Sequence, residues 1–128
     1  MRWLAVGMLA LAVSQHARAQ DAVPEVPSGQ PLSLLGIVTD APGDGIVYRF
    51  RFLAPSLPDI EAELAHDDML HLCTVFALRH IADRGAAPDE VVVSLSSEPV
   101  AFGDTAPDAV QYFAAFLPGS DSCTPDPF

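Results

Sequence analysis

Histidine, cysteine and carboxylate side chains near the middle of the chain are its first candidates for chemistry. His66, Cys73 and His80 are spaced seven residues apart, which places them along one face of a helix. At about 1.5 Å of rise per residue, neighbours in this series lie about 10 Å apart, too far to share one metal ion. Asp67 and His71, at positions i and i+4, could bind a divalent ion with a third ligand from elsewhere, or form a helix-surface hydrogen bond.

Other catalytic patterns are missing from the sequence. It contains no G-x-S-x-G nucleophile motif, and the serines between Ser94 and Ser97 have no histidine nearby in the chain. The acidic residues occur singly or in pairs, as in Asp67-Asp68 and Asp89-Glu90, and form no D-x-D-x-D-G calcium loop. The sequence therefore predicts no catalytic residue and no cofactor.

Arg49 and Arg51 are candidates for binding a ligand. They alternate with aromatic residues in Ile46 to Leu53 (IVYRFRFL), the plainest strand pattern in the chain. If helices cover the aromatic face of this strand, both guanidinium groups stand on the other face, where they could bind a carboxylate bidentately. Alternatively, they neutralise neighbouring acids and protect the sheet from edge pairing.

The first residues have the three parts of a signal peptide. Arg2 is followed by an apolar run from Trp3 to Val13, and Ala17-Arg18-Ala19 supplies the small residues of a cleavage site. Eleven residues span only about 16 Å as a helix, roughly half of a bilayer core, so cleavage is favoured over an anchor. We therefore expect a signal peptide over residues 1–19 and a periplasmic or secreted protein without membrane insertion after cleavage.

Cleavage after Ala19 would leave a strongly acidic protein. All 17 acidic residues remain against four arginines, because the chain has no lysine, and the formal net charge becomes −13. Such a polyanion repels phosphate backbones and anionic lipid surfaces, which argues against nucleic acid and peripheral membrane partners. An envelope protein or a small ligand remains as the expected partner.

Two cysteines in an oxidising compartment favour a structural disulfide. Cys73 and Cys123 form no C-x-x-C redox motif and lie fifty residues apart. A bridge between them would tie the middle of the chain to a C-terminal tail that has no regular apolar period. The alternative is a redox pair.

The remaining pattern predicts one small α+β domain. Residues 20–31 are rich in Pro, Ser and Gly and predict an extended leader, and residues 32–128 form the domain with its disulfide-tied tail. The expected order is β-β-α-β-(β)-α, with a mixed or antiparallel sheet of three to four strands and two helices on one face. The expected elements are strands over 32–38, 46–53 and 90–96, a possible edge strand over 100–102, a long helix within 59–84 and a second helix from Thr105 to Leu117.

Two observations support the helices. In the long helix Met69, Cys73, Phe76 and Ile81 fall in one apolar arc, with Asp68 on the opposite side. In the second helix Thr105 and Asp108 resemble a capping box, and Val110, Phe113, Ala114 and Leu117 mark one face.

Five segments resemble an uncharacterised family of small exported alphaproteobacterial proteins, known as a domain of unknown function. They are Val26 to Pro31 (VPSGQP), Arg49 to Pro55 (RFRFLAP), His71 to Cys73 (HLC), Ser94 to Gly103 (SLSSEPVAFG) and Gln111 to Phe116 (QYFAAF). The similarity covers nearly the whole mature chain. It implies size and location rather than an activity.

Members of that family are sometimes labelled acetolactate synthase, a label that the sequence does not support. Gly43-Asp44-Gly45 matches the first half of a thiamine-diphosphate motif, but the asparagines of its second half are missing, since the chain has no asparagine. The chain is also several-fold too short for that fold. A Gly-Asp-Gly hairpin turn explains the match.

Two functions are compatible with these observations. The first is a non-enzymatic binding or accessory module that contacts a protein or small ligand through its sheet. The alternative is a small hydrolase or metal-dependent enzyme that uses the histidines and acidic residues of the long helix.

Overall fold

A computed structural model describes residues 22–41 and 45–127, together with Gly7. The predicted signal peptide, residues 1–19, lies outside the described residues apart from Gly7. So do Gly43 and Asp44 of the Gly-Asp-Gly segment. The described part is a mixed α+β structure with one sheet and one main helix.

The sheet has five strands arranged in chain order. They are β1 (Ser33–Asp40), β2 (Val47–Leu53), β3 (Glu90–Ser96), β4 (Gln111–Pro118) and β5 (Cys123–Pro125). The pairs β1–β2, β3–β4 and β4–β5 are antiparallel, whereas β2 and β3 are parallel. The sheet is therefore mixed, one of the two predicted arrangements, but it has five strands where three to four were expected.

The parallel pair is joined by a helical crossover. A 3-10 turn (Leu57–Asp59) leads into α1 (Ala62–Leu72), a π-helical turn (Cys73–Ala77) and α2 (Leu78–Asp83), which together we call the crossover helix. It runs through Asp67 and Asp68 without a break. It ends at Asp83, and Gly85, two residues later, has a φ of +62°, a left-handed conformation that glycine adopts without steric cost. No helix in the described part of the chain is long and apolar enough to cross a membrane.

The core lies between the crossover helix and one face of the sheet. Residues that share the same side of adjacent strands fill it, in register across the ladder: Phe50 with Val93, Phe52 with Leu95, and Val91 with Phe116. All six side chains are buried. From the helix, the Phe76 ring packs edge-on against those of Phe50 and Phe52, at 6.1 and 5.6 Å between centroids.

The predicted second helix is wrong, because residues 111–118 form strand β4. Phe113, Ala114 and Leu117 do fit a helical period, but the same segment also alternates. Tyr112, Ala114 and Phe116 face the helix and the intervening residues face away. Hydrogen bonding along β3 decides between the two patterns, since tertiary pairing overrides a short local period.

Residues 97–110 form an irregular loop between β3 and β4. The predicted edge strand over 100–102 and the predicted capping box at Thr105 are both absent from it. Ser97 closes its base, donating its N–H to the Val110 carbonyl and accepting the Val110 N–H on its hydroxyl, both at 2.9 Å. This loop thus replaces the predicted edge strand and the first turn of the predicted helix.

Asp68 fixes the leader to the crossover helix. The sequence pattern placed this residue on the solvent side, but its side chain is completely buried. Its carboxylate accepts hydrogen bonds from the Ser28 N–H (2.9 Å), the Ser28 hydroxyl (2.5 Å) and the Gln30 amide (2.7 Å). A buried charge is tolerated where several donors replace its water, so the segment around Ser28 packs as part of the domain.

The disulfide is present. Cys73, at the start of the π-helical turn, is bonded to Cys123 in β5, with 6.0 Å between the Cα atoms. Both cysteines are buried, and the Cys123 N–H donates to the Thr74 hydroxyl at 3.1 Å. The bridge holds the predicted tail against the helix, where three of its residues add a short edge strand to the sheet.

Reduction of this disulfide should destabilise the protein substantially. The sequence separation of 50 residues corresponds to about 4 kcal/mol of loop-closure entropy in the unfolded chain. We expect the melting temperature to fall by about 10 °C or more on reduction. Thermal denaturation with and without reductant measures this, with thiol alkylation as the control for complete reduction. A melting temperature that does not respond to complete reduction would contradict the assignment.

Asp68→Ala should destabilise the protein by about 3 kcal/mol, because it leaves the Ser28 and Gln30 donors without their acceptor. Asp67→Ala is the matched control: Asp67 is the preceding residue and is exposed, so its loss should change the free energy of unfolding by less than about 0.5 kcal/mol. Urea denaturation of both variants measures the difference. Equal effects would show that the leader is not held by Asp68.

Candidate functional site

The candidate site is the open face of the sheet, which we define as the side opposite the crossover helix. Both predicted arginines lie there, because they alternate with buried Phe50 and Phe52 along β2. Arg49 forms an ion pair with Asp40 of β1, with 3.2 Å between Nε and Oδ1. These side chains are 30% and 35% exposed, so water screens the pair and its contribution to stability is small.

Arg51 ties the loop to the open face. Its guanidinium donates a hydrogen bond to the Val100 carbonyl and lies 5.7 Å from the centroid of the Phe102 ring. The second contact is a cation–π arrangement. Because both arginines have contacts within the protein, a ligand carboxylate would have to replace one of these contacts to be bound bidentately. Whether they bind such a ligand stays a prediction.

An apolar strip runs along β4 on the open face. It consists of Phe113, Ala115 and Leu117, every second residue of the strand. Phe113 is 66% exposed and Leu117 is 41% exposed, and the Phe102 ring over Arg51 is 54% exposed. The strip is about 14 Å long at 3.4 Å per residue. Sequence reasoning missed it because it placed Phe113 and Leu117 on a helix; the alternation of QYFAAFLP was the available signal.

A pair of carboxyl groups lies beside the apolar strip. Glu90 starts β3, and its carboxyl is hydrogen-bonded to that of Asp126, which follows β5. The hydrogen bond with Asp126 raises the pKa of Glu90 above its usual value; partial burial and the Asp126 charge act in the same direction, and Arg49 opposes them. A hydrogen bond between two carboxyls needs a proton on one of them, which is why the pKa rises.

The histidines lie in the helical layer on the other side of the sheet. The His66 ring is 5.9 Å from that of Phe116, and the His80 ring is 5.5 Å from that of Phe50. Cys73, between them in sequence, is bonded to Cys123 and is not a free thiol.

The predicted metal pair is an exposed Asp67 and a half-buried His71 on the crossover helix. Among the described residues, no three His, Cys, Asp or Glu side chains are close enough to hold a metal ion. The Asp67–His71 site therefore stays a prediction without a third ligand in that part of the chain.

Comparison with known proteins places the chain in a family. The family of unknown function DUF6497 matches residues 8–128. The chain belongs to DUF6497. The match spans the whole sheet and the crossover helix, so this DUF6497 member has the apolar strip and the carboxyl pair inside the family region. No curated protein and no solved structure matches this DUF6497 protein.

Glu90→Gln should make the stability of the protein less dependent on pH. A raised pKa in the folded state means that protonated Glu90 favours folding; this contribution is complete below the unfolded pKa and is lost as the pH rises through the folded value. Glutamine donates to Asp126 at every pH. The variant should therefore equal or exceed the wild type in stability at pH 7 and lose less stability between pH 4 and 7.

Melting temperatures across that pH range measure the effect. Glu98→Gln is the matched control, since Glu98 is an exposed residue of the loop. A wild-type pH profile unchanged by Glu90→Gln would show that the carboxyl pair does not share a proton.

Proposed function

We propose that this protein is an exported, non-enzymatic binding module of the cell envelope, and that it holds a protein partner against the open face of its sheet. The observation that carries the proposal is the exposure of Phe113, which is 66% accessible within a regular, paired strand. Scattered exposed apolar residues are ordinary on a protein surface. Here three large exposed apolar side chains, Phe102, Phe113 and Leu117, share the open face of the sheet. Such grouping is typical of interaction sites.

The frame behind this surface is a hydrogen-bonded sheet, which favours binding without large rearrangement. Ser94, the β3 partner of Phe113, also pairs with Arg51 in β2, so the strip continues a hydrogen-bonded ladder. The opposite face of β4 presents Phe116 to the core, where it is fully buried. A binding surface built on such strands keeps its shape in the free protein, which lowers the entropic cost of association.

Export is the second part of the proposal. It is supported by the charge, apolar run and small residues of 1–19. The Cys73–Cys123 disulfide is compatible with it, because such bonds persist in oxidising compartments. In the periplasm the module would act on another exported protein.

Site-specific photocrosslinking in the native cell tests this function. A photoreactive phenylalanine analogue at position 113 should form a discrete adduct with an envelope protein, because the partner covers that side chain. The same analogue at position 75 is the matched control: Val75 is also an exposed apolar residue, 40% accessible, but it belongs to the crossover helix. Adducts that are absent from position 113, or identical from both positions, would contradict the proposal.

A further inference from the structure

The apolar strip and the carboxyl pair form one continuous surface. Val91 pairs with Phe116 in the ladder, so Glu90, one residue earlier in β3, lies alongside Leu117. From the other side, the Asp126 N–H donates to the Ala115 carbonyl at 3.0 Å. Glu90 and Asp126 therefore flank the half of the strip that contains Ala115 and Leu117.

The local charges on this surface are unfavourable in the free protein. Two carboxyl groups within hydrogen-bond distance repel each other once both are ionised. Arg49 is the cation that acts on Glu90, but it lowers the Glu90 pKa less than the other contributions raise it, and its Nε contacts Asp40. A second cation supplied from outside would act on the pair as Arg49 acts on Glu90, favouring the ionised carboxylates. A guanidinium group fits best, because its planar fork of donors can bind two carboxylate oxygens at once.

The net charge of the whole chain also favours a cationic partner. The full sequence has a formal net charge of −11, with 17 acidic residues against six basic ones. A field of this sign accelerates association with cationic partners and slows it with anionic ones. It also disfavours a second copy of this chain as the occupant, since two such surfaces would bring four carboxyl groups together.

We propose that the partner docks a basic, apolar segment on this surface: an arginine or lysine reaches Glu90 and Asp126 while an apolar side chain covers Phe113 and Leu117. This inference rests on the proposed function and specifies the chemistry of the partner. The apolar contact contributes affinity, because it removes exposed aromatic surface from water. The carboxyl pair supplies selectivity for positive charge.

Synthetic peptides test the inference directly. The probe is a twelve-residue peptide of alternating arginine and leucine; one comparison peptide has glutamate in place of arginine, and another has serine in place of leucine. Fluorescence anisotropy at pH 7 should show that the arginine–leucine peptide binds the full protein at least about tenfold more tightly than either comparison peptide. Equal binding of the arginine–leucine and arginine–serine peptides would overturn the inference, because it would mean that charge alone is recognised.

Variants then locate the binding. The double change Glu90→Gln with Asp126→Asn should weaken binding of the arginine–leucine peptide about tenfold, and Phe113→Ser should weaken it by a similar factor. Glu63→Gln is the control for diffuse charge, since Glu63 is an exposed acid of α1, and it should leave binding nearly unchanged. Equal losses from the double change and from Glu63→Gln would contradict a defined site. Melting temperatures establish that each variant is folded.

Competition separates this inference from the proposed function. The arginine–leucine peptide should block the photoadduct at position 113, and the Glu90→Gln, Asp126→Asn protein should need about tenfold more peptide for the same block. An adduct at position 113 that the peptide does not block would overturn the basic-segment inference and leave the binding function standing. An adduct with the mass of two copies of this chain would also overturn it, in favour of self-association.

Discussion

The parallel pairing of β2 with β3 is the constraint on which the rest of the structure depends. Two parallel neighbours cannot be joined by a tight turn, so the chain must cross from one end of the sheet to the other. The crossover here is one helix, and it covers one face of the sheet. Its apolar arc meets Phe50, Phe52 and the inward residues of β3, which sets the core. Asp68 and Cys73, on the same helix, then attach the leader and the C-terminal strand to that layer.

A sheet covered on one face has another face available for binding. On β2 that face is polar or shielded: Arg49 lies against Asp40, and Arg51 holds the loop through Val100 and Phe102. On β4 it is apolar and exposed, next to a pair of carboxyl groups. Burial of apolar surface stabilises a complex but does not select the charge of the partner. An exposed charged group selects for opposite charge but adds less to the affinity in water. We propose that their combination on a hydrogen-bonded ladder binds one kind of partner, a basic segment with apolar side chains.

Strong local patterns predicted much of the fold, whereas pairing between distant segments decided the rest. The alternation of IVYRFRFL and the apolar arc around Cys73 correctly indicated β2, the crossover helix and the disulfide. The family resemblance was confirmed as membership of a family of unknown function. Residues 111–118 fit two periods, and only their pairing with β3 makes them a strand. Asp68 was misplaced because its donors lie 38 and 40 residues away, and Asp126 meets Glu90 only after the tail has joined the sheet.

Hydroxyl-radical footprinting of the free protein, read residue by residue by mass spectrometry, tests the central claim that the sheet has one covered and one open face. Phe113 and Phe116 are the informative pair, because they lie three residues apart and differ in exposure, at 66% and 0%. On strand β4 they face opposite sides, so Phe113 should be modified rapidly and Phe116 protected along with Phe50 and Phe52. If the segment were a helix packed on the sheet, Phe113 would face the core. Protection of Phe113 in the free protein would contradict the account.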